Sequence, residues 1–167
     1  MTEPTLLDEE VGGNYPGIAP VGNDELLARC VTRDDHVFQA ADGNVYLTTG
    51  AFSIDDIKGK DNRSVSVFRK GKIDEDCLSD KAKSLYKGNG SPGYATALAG
   101  MLRKIEHHDG HRQLRIVGSP EYDDDGVTVV CIHHADITAA QSDENKRLPW
   151  KELRRLIGDA FGSLHKL

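Results

Sequence analysis

Val37-Phe38-Gln39-Ala40-Ala41-Asp42-Gly43-Asn44-Val45-Tyr46-Leu47-Thr48-Thr49 is the stretch that decides the fold class. Two runs of strand-forming residues flank Asp42-Gly43, and Asp-Gly supplies the positive φ that a tight hairpin turn requires. A hairpin makes its two strands antiparallel. Further along, Ser64-Val65-Ser66-Val67-Phe68 alternates small polar and apolar residues, the period-two pattern of a half-buried strand. Upstream, residues 26–31 are almost continuously apolar and read as a strand that presents Arg29 on one face. Residues 113–117 and 127–133 are two late strands joined by a linker with Pro120 and three consecutive aspartates.

Helical spacing marks three other segments. Residues 74–85 form a weak helix with Cys77, Leu78, Ala82 and Leu85 on one side. Ser91-Pro92 reads as the start of a helix over 92–106, with Tyr94, Leu98, Met101, Leu102 and Ile105 in register. Pro149 opens a helix over 149–165 whose Trp150, Leu153, Ile157, Phe161 and Leu164 repeat every three or four residues. Residues 50–63 and 141–147 read as loops. Strands and helices come in blocks. The expected class is therefore α+β, a mainly antiparallel sheet with two or three helices packed on one face.

The chain has 167 residues and a net charge of −6, which suits one domain. Residues 1–22, with four acidic residues among the first ten and Pro4, Pro16 and Pro20, read as a flexible acidic N-terminal tail. Residues 23–167 read as a single α+β domain. No stretch resembles a secretion leader or a membrane span, so a cytoplasmic protein with no membrane association is expected. The acidic balance disfavours broad nucleic-acid binding, although Lys58, Lys60, Arg63, Arg69, Lys70 and Lys72 are a local basic cluster. Cys30, Cys77 and Cys131 are odd in number and widely spaced, which fits reduced thiols better than a disulfide framework.

Candidate chemistry is thin. His107, His108 and His111 form one histidine cluster, and His133 and His134 form another. Histidine serves as a metal ligand and a general base. His107, His111 and His134 are the weak metal candidates, but their spacing matches no zinc pattern and no cofactor is expected. Residues 121–126 are a carboxylate-rich turn without the EF-hand spacing. Gly88-Asn89-Gly90 lacks the phosphate-loop signatures. Serine, histidine and aspartate are all present, but no GxSxG elbow is.

Arg29 on an early strand, Ser64-Val65-Ser66 on a middle strand and Glu121 late in the chain resemble the order of site residues in NAD-binding ADP-ribosyltransferases. The resemblance implies that Arg29 and Ser66 would hold the dinucleotide and Glu121 would support the transferred ribose. The chain has Ser-Val-Ser where that family has Ser-Thr-Ser, and Glu121 is not part of a Glu-x-Glu or Gln-x-Glu pair. A longer stretch, Arg29 to His134, resembles a loose group of small uncharacterised bacterial α+β proteins. Gly50-Ala51-Phe52, Ser66-Val67 and His134-Ala135 carry this second likeness. It implies a bacterial protein acting beside operon neighbours and brings over no catalytic residue.

The expectation is a non-catalytic interaction or accessory module of a bacterial multi-protein system, with a protein partner. The alternative is a small enzyme, NAD-using or metal-dependent. If a site exists, its candidates are Arg29, Ser66, His134 and Glu121.

Overall fold

The computed structural model describes residues 2–12, 15 and 17–167. In chain order the elements are α1 (Asp8–Gly12), β1 (Leu26–Cys30), β2 (Val37–Gln39), β3 (Val45–Leu47), α2 (Ile54–Lys58), β4 (Val65–Arg69) and α3 (Glu75–Leu85). Then follow β5 (Gly93–Leu98), α4 (Ala99–Arg103), β6 (Leu114–Gly118), β7 (Glu121–Tyr122), β8 (Val129–Cys131), β9 (His134–Ala139), α5 (Trp150–Ala160) and β10 (His165–Lys166). One six-stranded sheet runs β10-β5-β1-β4-β9-β6, and β2–β3 and β7–β8 are separate two-stranded ribbons. Every pairing among them is antiparallel. The α+β class with a mainly antiparallel sheet holds.

Alternation along the strands assigns the two faces. Leu27, Val31, Val65, Val67, Ala95, Ala97, Ile116 and Ile137 enter the larger core. Ile57 of α2, Leu102 of α4, and Leu153 and Ile157 of α5 close that core from one side. Ala28, Cys30, Phe68 and Tyr94 face the other way and meet Leu78 and Ala82 of α3. Three helices thus share one face, and α3 covers part of the opposite one.

The hairpin forms as expected, with Gly43 at φ +84° in its turn. The helix at 74–85 is α3, started by Asp74, whose carboxylate accepts from the N–H of Asp76 at 2.9 Å. Residues 50–63 contain α2, capped by Ser53, with Phe52 and Ile57 fully buried.

The helix expected over 92–106 is instead β5 followed by the short α4. Five consecutive pairs with β1, from Leu26↔Leu98 to Cys30↔Tyr94, fix the strand. Pairing on both edges of β5 outweighs weak local helical spacing. Gly93 has a further reason: a Cβ there would lie 2.5 Å from the His165 carbonyl oxygen of β10. The strand expected over 127–133 is also displaced. The long strand is β9, and residues 121–131 form the β7–β8 ribbon outside the main sheet.

Of the segment expected as a tail, residues 1, 13, 14 and 16 lie outside the described part. Several of the others contact the domain. Asn23 donates to the Pro4 carbonyl at 2.7 Å, Arg112 donates to the Thr5 carbonyl, and α1 lies on β6. Glu10 is buried. No helix among the described residues is long and apolar enough to cross a membrane.

Leu153 is fully buried in the larger core. Leu153→Asp puts a charge there and is expected to cost about 3 kcal/mol or more, read as a fall in the urea midpoint. An unchanged midpoint would contradict the seating of α5.

Candidate functional site

The exposed part of the α3-side face lies over β4, β9 and β6. Here β9 turns His134, Asp136 and Thr138 outward while Ala135 and Ile137 stay in the core. Asp136 pairs across to Ser66 on β4 and to Val117 on β6. The cleft above has a volume of about 750 Å³. Asp8, Glu9 and Tyr15 form one wall, and Arg63 and Ser64 the other. Arg115 crosses the floor and donates through Nε to Thr138 Oγ1 at 2.7 Å.

Asp136 organises the polar floor. Ser64 Oγ donates to Oδ1, and Ser119 Oγ donates to Oδ2 at 2.7 Å. His134 Nδ1 lies 3.0 Å from both the hydroxyl and the carbonyl oxygen of Ser119. Because the carbonyl can only accept, this geometry places the His134 proton on Nδ1. The imidazole ring meets the Phe68 ring edge-on at 5.6 Å.

A serine, a histidine and an aspartate are therefore together, but not in the order that activates a nucleophile. A general base must accept the serine proton through a ring nitrogen. Here His134 Nδ1 is committed to a carbonyl, and Ser119 is only 3% exposed. Ser64 rests on a carboxylate and has no histidine contact among the described residues.

Arg29 and Ser66 do not share a face. Arg29 follows Leu27 on the larger-core side of β1, whereas Ser66 alternates with the core residues Val65 and Val67 and faces away from them. Arg29 reaches Ser66 only through the backbone, donating to its carbonyl oxygen at 2.9 Å and to that of Ala51 at 2.8 Å. Burial pulls the guanidinium below its ordinary pKa, with Asp56 opposing. Arg29 thus clamps β1, β4 and the turn before α2. Glu121 stands apart on β7 and pairs with Lys81 of α3 at 2.8 Å. Ser66 and His134 share the face over β4 and β9.

The other sequence candidates are mostly occupied from within the chain. In the basic cluster, Arg69 is held by Glu25 at 2.6 Å and by the carbonyls of Ala19 and Pro20, and Arg63 pairs with Asp56 at 2.7 Å. Lys70 pairs with Glu75 at 2.7 Å, and Lys58 lies over the Trp150 ring. In the acidic turn, Asp125 accepts from the N–H groups of Val127 and Thr128 and closes the ribbon. The Gly88–Gly90 loop does cradle an anion: the Asp34 carboxylate accepts from Asn89 and Gly90 N–H. His111 and His134 do not join His107 in one ligand group, whereas His108 and Asp109 do.

Asp136, Ser119, Thr138 and Arg115 were missing from the sequence candidates. The signal for them is the alternation His134-Ala135-Asp136-Ile137-Thr138-Ala139, which lies beyond the strand expected over 127–133. No family model, curated protein or solved structure matches the chain.

The thiols offer no nucleophile in the cleft. Burial pushes the Cys30 thiol up to about 12, with Arg29 and Lys81 opposing, and burial raises Cys131 as well. Cys77 is exposed. With a disulfide reagent at mildly alkaline pH, the folded protein is expected to show one fast thiol, Cys77, and all three only after denaturation. A fast reaction at Cys30 would contradict its placement between the sheet and α3.

Proposed function

We propose that the chain is a non-catalytic accessory module of a bacterial multi-protein system and that it engages a protein partner through the β7–β8 ribbon. The observation that carries this reading is apolar exposure on the ribbon and its flanks. Val127 is 79% exposed, and Tyr122, Val129, Val130 and Ile132 are each between 45% and 50% exposed. Large apolar side chains gathered on one projecting element favour a protein contact over contact with water. The ribbon pairs only with itself, so its outer edges offer backbone groups to an added segment.

Charge narrows the partner. Asp123, Asp124 and Asp125 stand at the tip, and the whole chain carries −6. An apolar segment flanked by lysine or arginine suits that surface, with the charges governing encounter more than affinity. The closed hydrogen bonding around Asp136 supports the non-catalytic part of the reading, because both neighbouring hydroxyls already donate to it.

The test is co-purification with the proteins encoded beside its gene, using wild type and a Val130→Lys, Ile132→Lys double variant. Both positions are about half exposed, so the variant is expected to melt as wild type does. It is expected to lose the complex that wild type forms. Equal binding by both proteins, or consumption of NAD by the purified chain above a protein-free control, would overturn the reading.

A further inference from the structure

We propose that His107, His108 and Asp109 form a binding site for one divalent transition-metal ion of the zinc, nickel or copper kind. The site lies at the turn between α4 and β6; its residues neither line the cleft nor belong to the β7–β8 ribbon, and it does not depend on either.

The backbone fixes the turn before any ligand is considered. Glu106 bridges to Arg112 at its base. The His107 N–H donates to the His111 carbonyl at 2.9 Å, and the Gly110 N–H donates to the His107 carbonyl at 2.8 Å. Gly110 takes φ +83°, which glycine adopts at little cost. Adjacent residues on a regular strand would point to opposite faces. Here the chain is entering a turn, and the rings of His107 and His108 lie 3.8 Å apart.

The ligand atoms converge. His107 Nδ1 is 3.4 Å from Asp109 Oδ2, and His108 Nε2 is 3.2 Å from Asp109 Oδ1. All three side chains offer ligand atoms within 4.8 Å of one another. Around a tetrahedral ion with bonds of about 2.0–2.1 Å, neighbouring ligand atoms stand about 3.3–3.4 Å apart. Each imidazole nitrogen lies near that distance from a different Asp109 oxygen, so one ion held by both rings needs the carboxylate to turn and present a single oxygen to it. The Asp109 N–H approaches His107 Nδ1 at 3.4 Å, which orients a nitrogen lone pair into the turn, the form a metal needs. That long contact is weak and easily given up.

Chemistry selects the ion class. Two imidazoles and one carboxylate suit zinc, nickel and copper, whereas calcium and magnesium favour oxygen ligands. Exposure describes the openness of the site: the side chain of His107 is 11% exposed, that of Asp109 53% and that of His108 78%. One ligand is anchored against the domain and two reach into solvent. Three protein ligands on one side leave coordination positions open for water or an outside donor.

The test uses the full-length protein, stripped of metal with a chelator, dialysed, and titrated by calorimetry with zinc chloride and separately with nickel chloride. One saturable ion per chain is expected. His108→Ala and Asp109→Ala change exposed residues and are each expected to weaken binding by about tenfold or more. His111→Ala and His133→Ala are expected to leave binding unchanged. In nitrogen-15 spectra of the imidazoles, one equivalent of metal is expected to move the His107 and His108 signals. No saturable binding, or equal weakening by all four substitutions, would overturn the proposal by showing hydrogen-bonded turn residues or diffuse contact with surface histidines.

Discussion

A guanidinium is fully buried between the N-terminal segment and the end of α4, and that corner of the architecture follows from having to neutralise it. Arg103 ends α4 with no exposed surface. Its Nε donates to Glu10 at 3.0 Å, one terminal nitrogen donates to the Asn23 side chain at 3.0 Å, and the other donates to the Val21 carbonyl at 2.7 Å. Burying one charge without the other would cost far more than the pair returns. The carboxylate comes from ninety-three residues earlier in the chain. The same Glu10 accepts from the Ile116 N–H at 2.8 Å and from Arg112 at 3.1 Å. It therefore also occupies a backbone donor on β6, the end strand of the sheet. Open sheet edges invite unwanted pairing, and α1 covers this one.

The sheet then sorts chemistry by face. On the larger-core side, helices α2, α4 and α5 exclude water, and Arg29 is spent on backbone carbonyls. On the opposite side, α3 covers only part of the sheet. The uncovered part carries Asp136, Ser64, Ser66, Thr138 and Arg115, walled by α1, so the segment that neutralises Arg103 also shapes the cleft. Both serines bonded to Asp136 are satisfied, which makes the floor well ordered and chemically quiet. The exposed apolar ribbon and the histidine turn lie outside this floor.

Local signals made much of the fold legible. Asp42-Gly43 marked the hairpin, the alternation at 64–68 marked β4, and the stripe through Leu153 and Ile157 marked α5. Nonlocal interactions hid the rest. β5 looks helical until β1 pairs with it along its whole length. β9 was obscured because Val127 to Ile132 are as strand-like as the residues after them, and only the sheet decides which run joins it. The candidate site suffered most. Arg29 and Ser66 are both strand residues, but a sequence read strand by strand does not say which faces coincide, and these two differ. Glu10 looked like one more acidic residue in a proline- and glycine-rich segment, because its partners lie about a hundred residues away.

The fold depends on the Glu10–Arg103 pair, and equilibrium unfolding in urea tests that dependence most directly. Glu10→Ala strands a buried guanidinium and is expected to remove about 3–5 kcal/mol, whereas the exposed neighbouring change Glu9→Ala is expected to leave the midpoint where it was. The double replacement Glu10→Leu, Arg103→Met removes both charges together and is expected to recover much of that loss. A Glu10→Ala protein as stable as wild type would show that the N-terminal segment does not complete the domain, and the central claim would fail.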